Sequence, residues 1–208
     1  MLISSIVSSP LRVPNKLIIL IRVLIHSVSI VYLSYVFYLA FSGQLLGDPV
    51  QYLLDFTGIG AINLLLLSLL VTPLALWLKF GQILRVRRSL GVYAAIYAIA
   101  HLTVFIAFEL QFEWGLIVSE IVNRPYITVG FIALIVLIVL LITSLPAVKK
   151  RMGKSWFSLH QWVYLACALA LIHYIWSIKS EELQPIVYFI IGFLVLIIRG
   201  KKLNIFKK

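Results

Sequence analysis

Tyr126–Leu145, YITVGFIALIVLIVLLITSL, decides how the rest of this chain is read. It holds no charged residue, and at about 1.5 Å per residue its twenty positions cross a hydrocarbon layer of roughly 30 Å as a single helix. The chain around it has the same character, being 62% hydrophobic and 12% charged over 208 residues, with a mean hydropathy of +1.08. Such a composition excludes an ordinary soluble globular domain and leaves no stretch for a separate soluble one. The chain reads as an integral membrane protein.

Working outward from that helix, six hydrophobic segments are expected, at roughly 17–41, 59–78, 90–110, 126–145, 157–178 and 185–199. The fold class that follows is all-α, a polytopic bundle of about six transmembrane helices forming one domain over residues 1–208. Pro49, Pro125, Pro146 and Pro185 fall at or near segment ends, where a missing amide proton is tolerated. Arg12, Lys16 and Arg22 before the first apolar run resemble the start of a signal peptide. The run is too long for one and contains His26, so a retained helix is expected.

Charge placement gives an orientation. Sixteen of the eighteen basic residues gather on one side, among them Arg85, Arg87, Arg88, Lys149, Lys150, Arg151 and Lys154. The opposite side keeps Arg124 and Lys179 and carries every acid: Asp48, Asp55, Glu109, Glu113, Glu120, Glu181 and Glu182. By the positive-inside rule both termini are cytoplasmic. The net charge of +11 is therefore an orientation signal, with anionic membrane lipid as its natural partner and no nucleic-acid surface.

All four histidines, His26, His101, His160 and His173, lie inside apolar segments, where a titratable imidazole needs a partner or a task. Intramembrane histidines ligate haem iron, relay protons or bind metals. The single cysteine, Cys167, excludes disulfides, covalent C-x-x-C-H haem attachment and thiolate clusters, so any haem is b-type; Cys167 itself reads as a small core residue. Zinc is disfavoured because the acids sit at or beyond the outer boundary, and a proton channel would want an acid or lysine partway across.

His160 and His173 stand thirteen residues apart on one helix, roughly 20 Å along its axis and about 220° around it. Two sites at opposite depths are expected. Depth matches His101 with His173 in the outer half and His26 with His160 in the inner half. Each histidine taken alone is as readily a packing residue as a ligand. Trp114, Tyr126, Trp156, Trp162, Tyr174 and Trp176 read mainly as an interfacial belt, with Trp162 and Tyr174 placed to pack on a porphyrin.

RVRRSLGVYAAIYAIAHLT (Arg85–Thr103), NRPYITVG (Asn123–Gly130), RMGKSWFSLHQWVY (Arg151–Tyr164) and HYIWSIKS (His173–Ser180) together resemble the MsrQ family, formerly YedZ, and GDPVQYLLDFTG (Gly47–Gly58) resembles that family's first outer loop. The resemblance runs in order along nearly the whole chain. It implies a ferric-reductase-like transmembrane domain related to the core of NADPH oxidases, one or two haem b groups and FMN. It also implies electrons drawn from the quinone pool or a cytosolic flavin reductase and passed to the periplasmic molybdopterin enzyme MsrP, which repairs oxidised methionine. His101, His160 and His173 fall on the family's candidate haem histidines, and His26 on its first-helix histidine. Oxidase relatives carry two histidines about fourteen apart on one helix, whereas the positions near that distance from His101 are Arg88 and Gly115.

No dinucleotide fingerprint or soluble flavin domain is present, so the chain is expected to conduct electrons and to catalyse no reaction alone. The competing readings are a stand-alone haem reductase of ferric ions or quinone, and a haem-free transporter that uses the histidines.

Overall fold

The computed structural model describes residues 13–178 and 183–205, and within them the chain is helical with no strand. Arg12, Lys179, Glu181 and Glu182, named above, lie outside the described residues, as do Lys207 and Lys208 of the sixteen basic residues expected on the cytoplasmic side. In chain order the helices are α1 (Asn15–Phe41), α2 (Pro49–Trp77), α3 (Arg87–Val104), α4 (Trp114–Asn123), α5 (Pro125–Thr143), α6 (Pro146–Met152), α7 (Ser155–Leu159), α8 (Val163–Ser177) and α9 (Leu183–Ile205). Among the described residues five spans are long and apolar enough to cross a membrane: α1, α2, Gly81–Glu109 around α3, α5, and Ser155–Ser177 through α7 and α8. The apolar part of α9, Leu183–Ile198, covers roughly 24 Å and is the short sixth segment.

Local chemistry sets the starts. Pro49 is the first residue of α2, and the Asp48 carboxylate caps it by accepting the Val50 amide at 2.9 Å. The helix therefore begins ten residues before the expected 59, and the GDPVQYLLDFTG stretch is a cap followed by helical turns rather than a loop. Gln51, Asp55, Thr57 and Gly58 interrupt the apolar run without interrupting the helix. Pro125 likewise opens α5 and Pro146 opens α6. α3 follows a 3-10 turn at Gly81–Val86 and ends in a wide π turn, Phe105–Glu109; Gln111 and Phe112, both at positive φ, then turn the chain into α4.

The core lies where α2, α3, α5 and α8 meet: Leu65, Leu66 and Leu69 pack on Ala94 and Ala95, on Val136, Leu137 and Leu140, and on Ala166, Cys167 and Leu171. The alanines and Cys167 let the backbones approach closely, as association inside lipid requires, and Cys167 is the small core residue expected. α1 lies outside this core and buries only Ile18, Ser29 and Val36. Its other apolar side chains face outward, where hydrocarbon is their natural solvent.

The two ends of the bundle differ in charge. At one end Arg85 donates to Asn15 Oδ1 (3.0 Å), Arg88 to the Ser144 carbonyl (2.6 Å), and Gln82 accepts the Val13 amide. This end also carries Lys149, Lys150, Arg151 and Lys154. At the other end stand Asp48, Asp55, Glu109, Glu113 and Glu120, the last paired with Arg124 at 2.8 Å.

Candidate functional site

α3 and α8 bring His101 and His173 together near the acidic end. Their ring centroids are 6.2 Å apart and the ring planes are nearly perpendicular, at 80°. Each ring is held by a carbonyl from a neighbouring helix. His101 Nδ1 lies 3.0 Å from the Leu54 oxygen of α2, and His173 Nδ1 lies 2.7 Å from the Tyr126 oxygen at the start of α5. A carbonyl can only accept, so both Nδ1 atoms carry the proton and both Nε2 atoms keep the lone pair. Tyr126 also stacks on His173 (6.1 Å, 22°), and its hydroxyl accepts from Arg124 at 3.3 Å. Thr128 Oγ1 donates to the Ile121 carbonyl, tying α4 to this turn.

His160 sits at the basic end, beyond the far terminus of α5. Its Nε2 is 3.1 Å from Thr143 Oγ1, and Trp156 stacks on its ring at 3.9 Å while donating through Nε1 to the Thr143 carbonyl. Lys149 lies over the same indole at 4.3 Å. The Thr143 hydroxyl proton is directed at the Val139 carbonyl (2.7 Å), so Oγ1 receives the Nε2 proton. His160 is thus in the tautomer opposite to that of the other two.

His26 meets hydroxyls on both sides, Tyr93 Oη at 2.9 Å from Nδ1 and Ser89 Oγ at 3.5 Å from Nε2. His26 and His160 make no ring contact, and their partners lie on different helices, α3 and α5. The four intramembrane histidines thus separate into one assembled pair, His101 with His173, and two engaged elsewhere. Among the described residues no three His, Cys, Asp or Glu side chains gather as a metal cage.

Two ring neighbours were missed by the sequence reading. Tyr126 and Trp156 lie on the histidines, whereas Tyr174 packs on Tyr188 (5.7 Å, 90°) and Trp162 is exposed. Position near a helix end looks alike for belt and site; the signal available was that Tyr126 lies within the NRPYITVG motif.

Residues 57–171 match the family described as ferric reductase like transmembrane component, a stretch running from within α2 to within α8 and through most of the core. The chain is 37% identical to the haem-binding subunit MsrQ of protein-methionine-sulfoxide reductase from Salmonella arizonae, over 92% of this chain and 97% of that one. It is 38% identical to the proteins of the same name from Klebsiella pneumoniae, over 92% of this chain and 97% of the relative, and Cronobacter sakazakii, over 93% and 98%.

The chain belongs to the MsrQ family.

No solved structure matches it. The match to these relatives covers 92% of the chain and so reaches well beyond residues 57–171.

Proposed function

We propose that this MsrQ family member is the haem-binding, electron-transferring subunit of a methionine sulfoxide reductase, with one b-type haem held between His101 and His173. The observation that carries the reading is the geometry of that pair. Two imidazoles that shared one metal through nitrogen, at about 2 Å per bond and roughly 1 Å more to each ring centre, would have centroids up to about 6 Å apart. The observed 6.2 Å fits, and so does the proton on each Nδ1, which leaves each Nε2 free to bind. A carbonyl behind a ligating imidazole is the usual outer partner that fixes its tautomer and raises its basicity. Haem bound there supplies a one-electron carrier.

The chain's own residues do the rest. Leu54 and Tyr126 hold the ring protons, the Tyr126 ring covers one face of His173, and the closely packed α2, α3, α5 and α8 keep water from the site. The positive-inside rule makes the basic end cytoplasmic and the acidic end periplasmic. The pair then lies on the periplasmic side, and the acidic rim of Asp48, Asp55, Glu109 and Glu113 faces the catalytic partner MsrP, speeding encounter by charge complementarity. The electron donor in this reading is a membrane quinol, with a cytosolic flavin reductase as the alternative source.

The test is a relay experiment. Chemically reduced, anaerobic protein in detergent is expected to stay reduced with methionine sulfoxide alone and to reoxidise once MsrP is added. Reoxidation by the sulfoxide without a partner would make the chain an enzyme in its own right.

A further inference from the structure

A helix carbonyl points along the axis toward residue i+4, so the side chain at i+4 stands beside that oxygen on the same face. The two carbonyls that receive the histidine protons are those of Leu54 in α2 and Tyr126 in α5. Four residues after each comes a glycine, Gly58 and Gly130. A Cβ at Gly58 would lie 3.1 Å from Nδ1 and 3.2 Å from Cε1 of His101. At Gly130 it would lie 2.7 Å from Nδ1, 2.8 Å from Cγ and 2.9 Å from Cε1 of His173. Both glycines are ordinary helical positions without positive φ, so backbone conformation does not call for them. The imidazole edges do.

We infer that Gly58 and Gly130 are positioning residues: each opens a notch through which a histidine of the pair reaches the carbonyl one turn back, fixing its proton on Nδ1 and its lone pair on Nε2. The same device occurs twice, on two helices, once for each ring. This rests on the reading of His101 and His173 as haem ligands and deepens it, because it says what sets their tautomer and orientation. A methyl group at either position pushes the ring off its carbonyl. Loss of such an outer hydrogen bond weakens metal binding by about 10–100-fold and makes the imidazole a less basic ligand. A less basic ligand stabilises the ferric state less, so the midpoint potential rises.

The experiment compares Gly58→Ala and Gly130→Ala with two controls in purified protein. Gly60→Ala is the packing control, since its Cβ would meet the Tyr97 ring at 2.6 Å, and Gly115→Ala is the open one, with nothing within 4 Å. Haem affinity of the stripped protein, the low-spin fraction by electron paramagnetic resonance and the midpoint potential are the readouts. Gly130→Ala is expected to weaken haem binding about 10–100-fold, lower the low-spin fraction and raise the potential, with Gly58→Ala following more mildly. Gly60→Ala should lose thermal stability and keep the wild-type signal and potential. Should Gly130→Ala fail to insert, Gly58→Ala decides alone, its contacts being the looser ones. Wild-type affinity, spin state and potential in the variants measured would overturn the notch, as would an equal change in Gly60→Ala. A wild-type protein without low-spin haem would instead overturn the ligand assignment beneath it.

Discussion

His101 and His173 differ from His26 and His160 in what they touch: the first two rings meet each other and set Nδ1 on helix carbonyls, whereas the other two lie against hydroxyls. A ring with one nitrogen on a carbonyl and the other free is ready to bind a metal, whereas His26 has hydroxyls within reach of both nitrogens. Alanine at His101 or His173 should therefore abolish the low-spin haem spectrum while leaving membrane insertion intact. Persistence of the full spectrum in both variants would refute the pairing. Tyr126 contributes to the site through its carbonyl and its ring face more than through its hydroxyl. Tyr126→Phe removes only the exposed bond from Arg124, so haem content should be unchanged and stability should move by less than about 0.5 kcal/mol. Tyr126→Ala, which strips the stacked ring from His173, should lower haem retention. Depth along the helices was enough to pair His101 with His173 from sequence. The proton arrangement was not legible there, because it depends on carbonyls 47 residues away in each case.

On α1 the intramembrane His26 is engaged by hydroxyls rather than by another histidine. The helix lies outside the family's ferric-reductase match and buries few side chains, so its polar links to α3 carry much of its attachment. These are His26 to Tyr93 and Ser89, and the Tyr97 hydroxyl donating to the Ser29 carbonyl at 2.9 Å. Ser89, Tyr93 and Tyr97 recur at four-residue spacing, one stripe of α3 turned toward α1. Hydrogen bonds between membrane helices are worth about 0.6–2 kcal/mol, so His26→Ala and Tyr93→Phe should each lower the thermal midpoint modestly and retain haem in full. Loss of haem in His26→Ala, with stability unchanged, would restore it as a ligand. Hydropathy located this helix and the other long spans well because a bilayer leaves helices few alternatives. It misplaced the start of α2 because Gln51 and Asp55 lower the average, although the Asp48 cap and Pro49 were in plain view, and it missed α4 altogether, since ten residues are too few to span.

Across the whole molecule, α5 joins two unlike ends. Tyr126 at its start serves His173 and Thr143 at its end serves His160, seventeen residues or about 25 Å apart along the axis. Reporter fusions near Asp48 or Glu120 should be active only in a form that works outside the cytoplasm, and fusions after Arg88 or Lys154 should not; the reverse pattern would invert the assigned orientation. The two ends also bear on the route of electrons. A relay from a cytosolic donor would want a second haem near His160, with His26 its expected partner. His26 is instead bonded to Tyr93 and does not meet His160, while His160 has Nε2 on Thr143 and would offer a metal its Nδ1 without a second histidine opposite. In the proposed reading the haem lies on the acidic side, where two histidines are assembled, and a quinol diffusing within the bilayer can approach it without crossing from the basic end. Fully loaded protein should accordingly hold haem in a ratio near one, unaltered in His160→Ala, and a short-chain quinol should reduce wild type and His160→Ala at comparable rates. A ratio near two that falls to one in His160→Ala would place a second carrier at the basic end and turn the donor assignment toward the cytosolic flavin reductase.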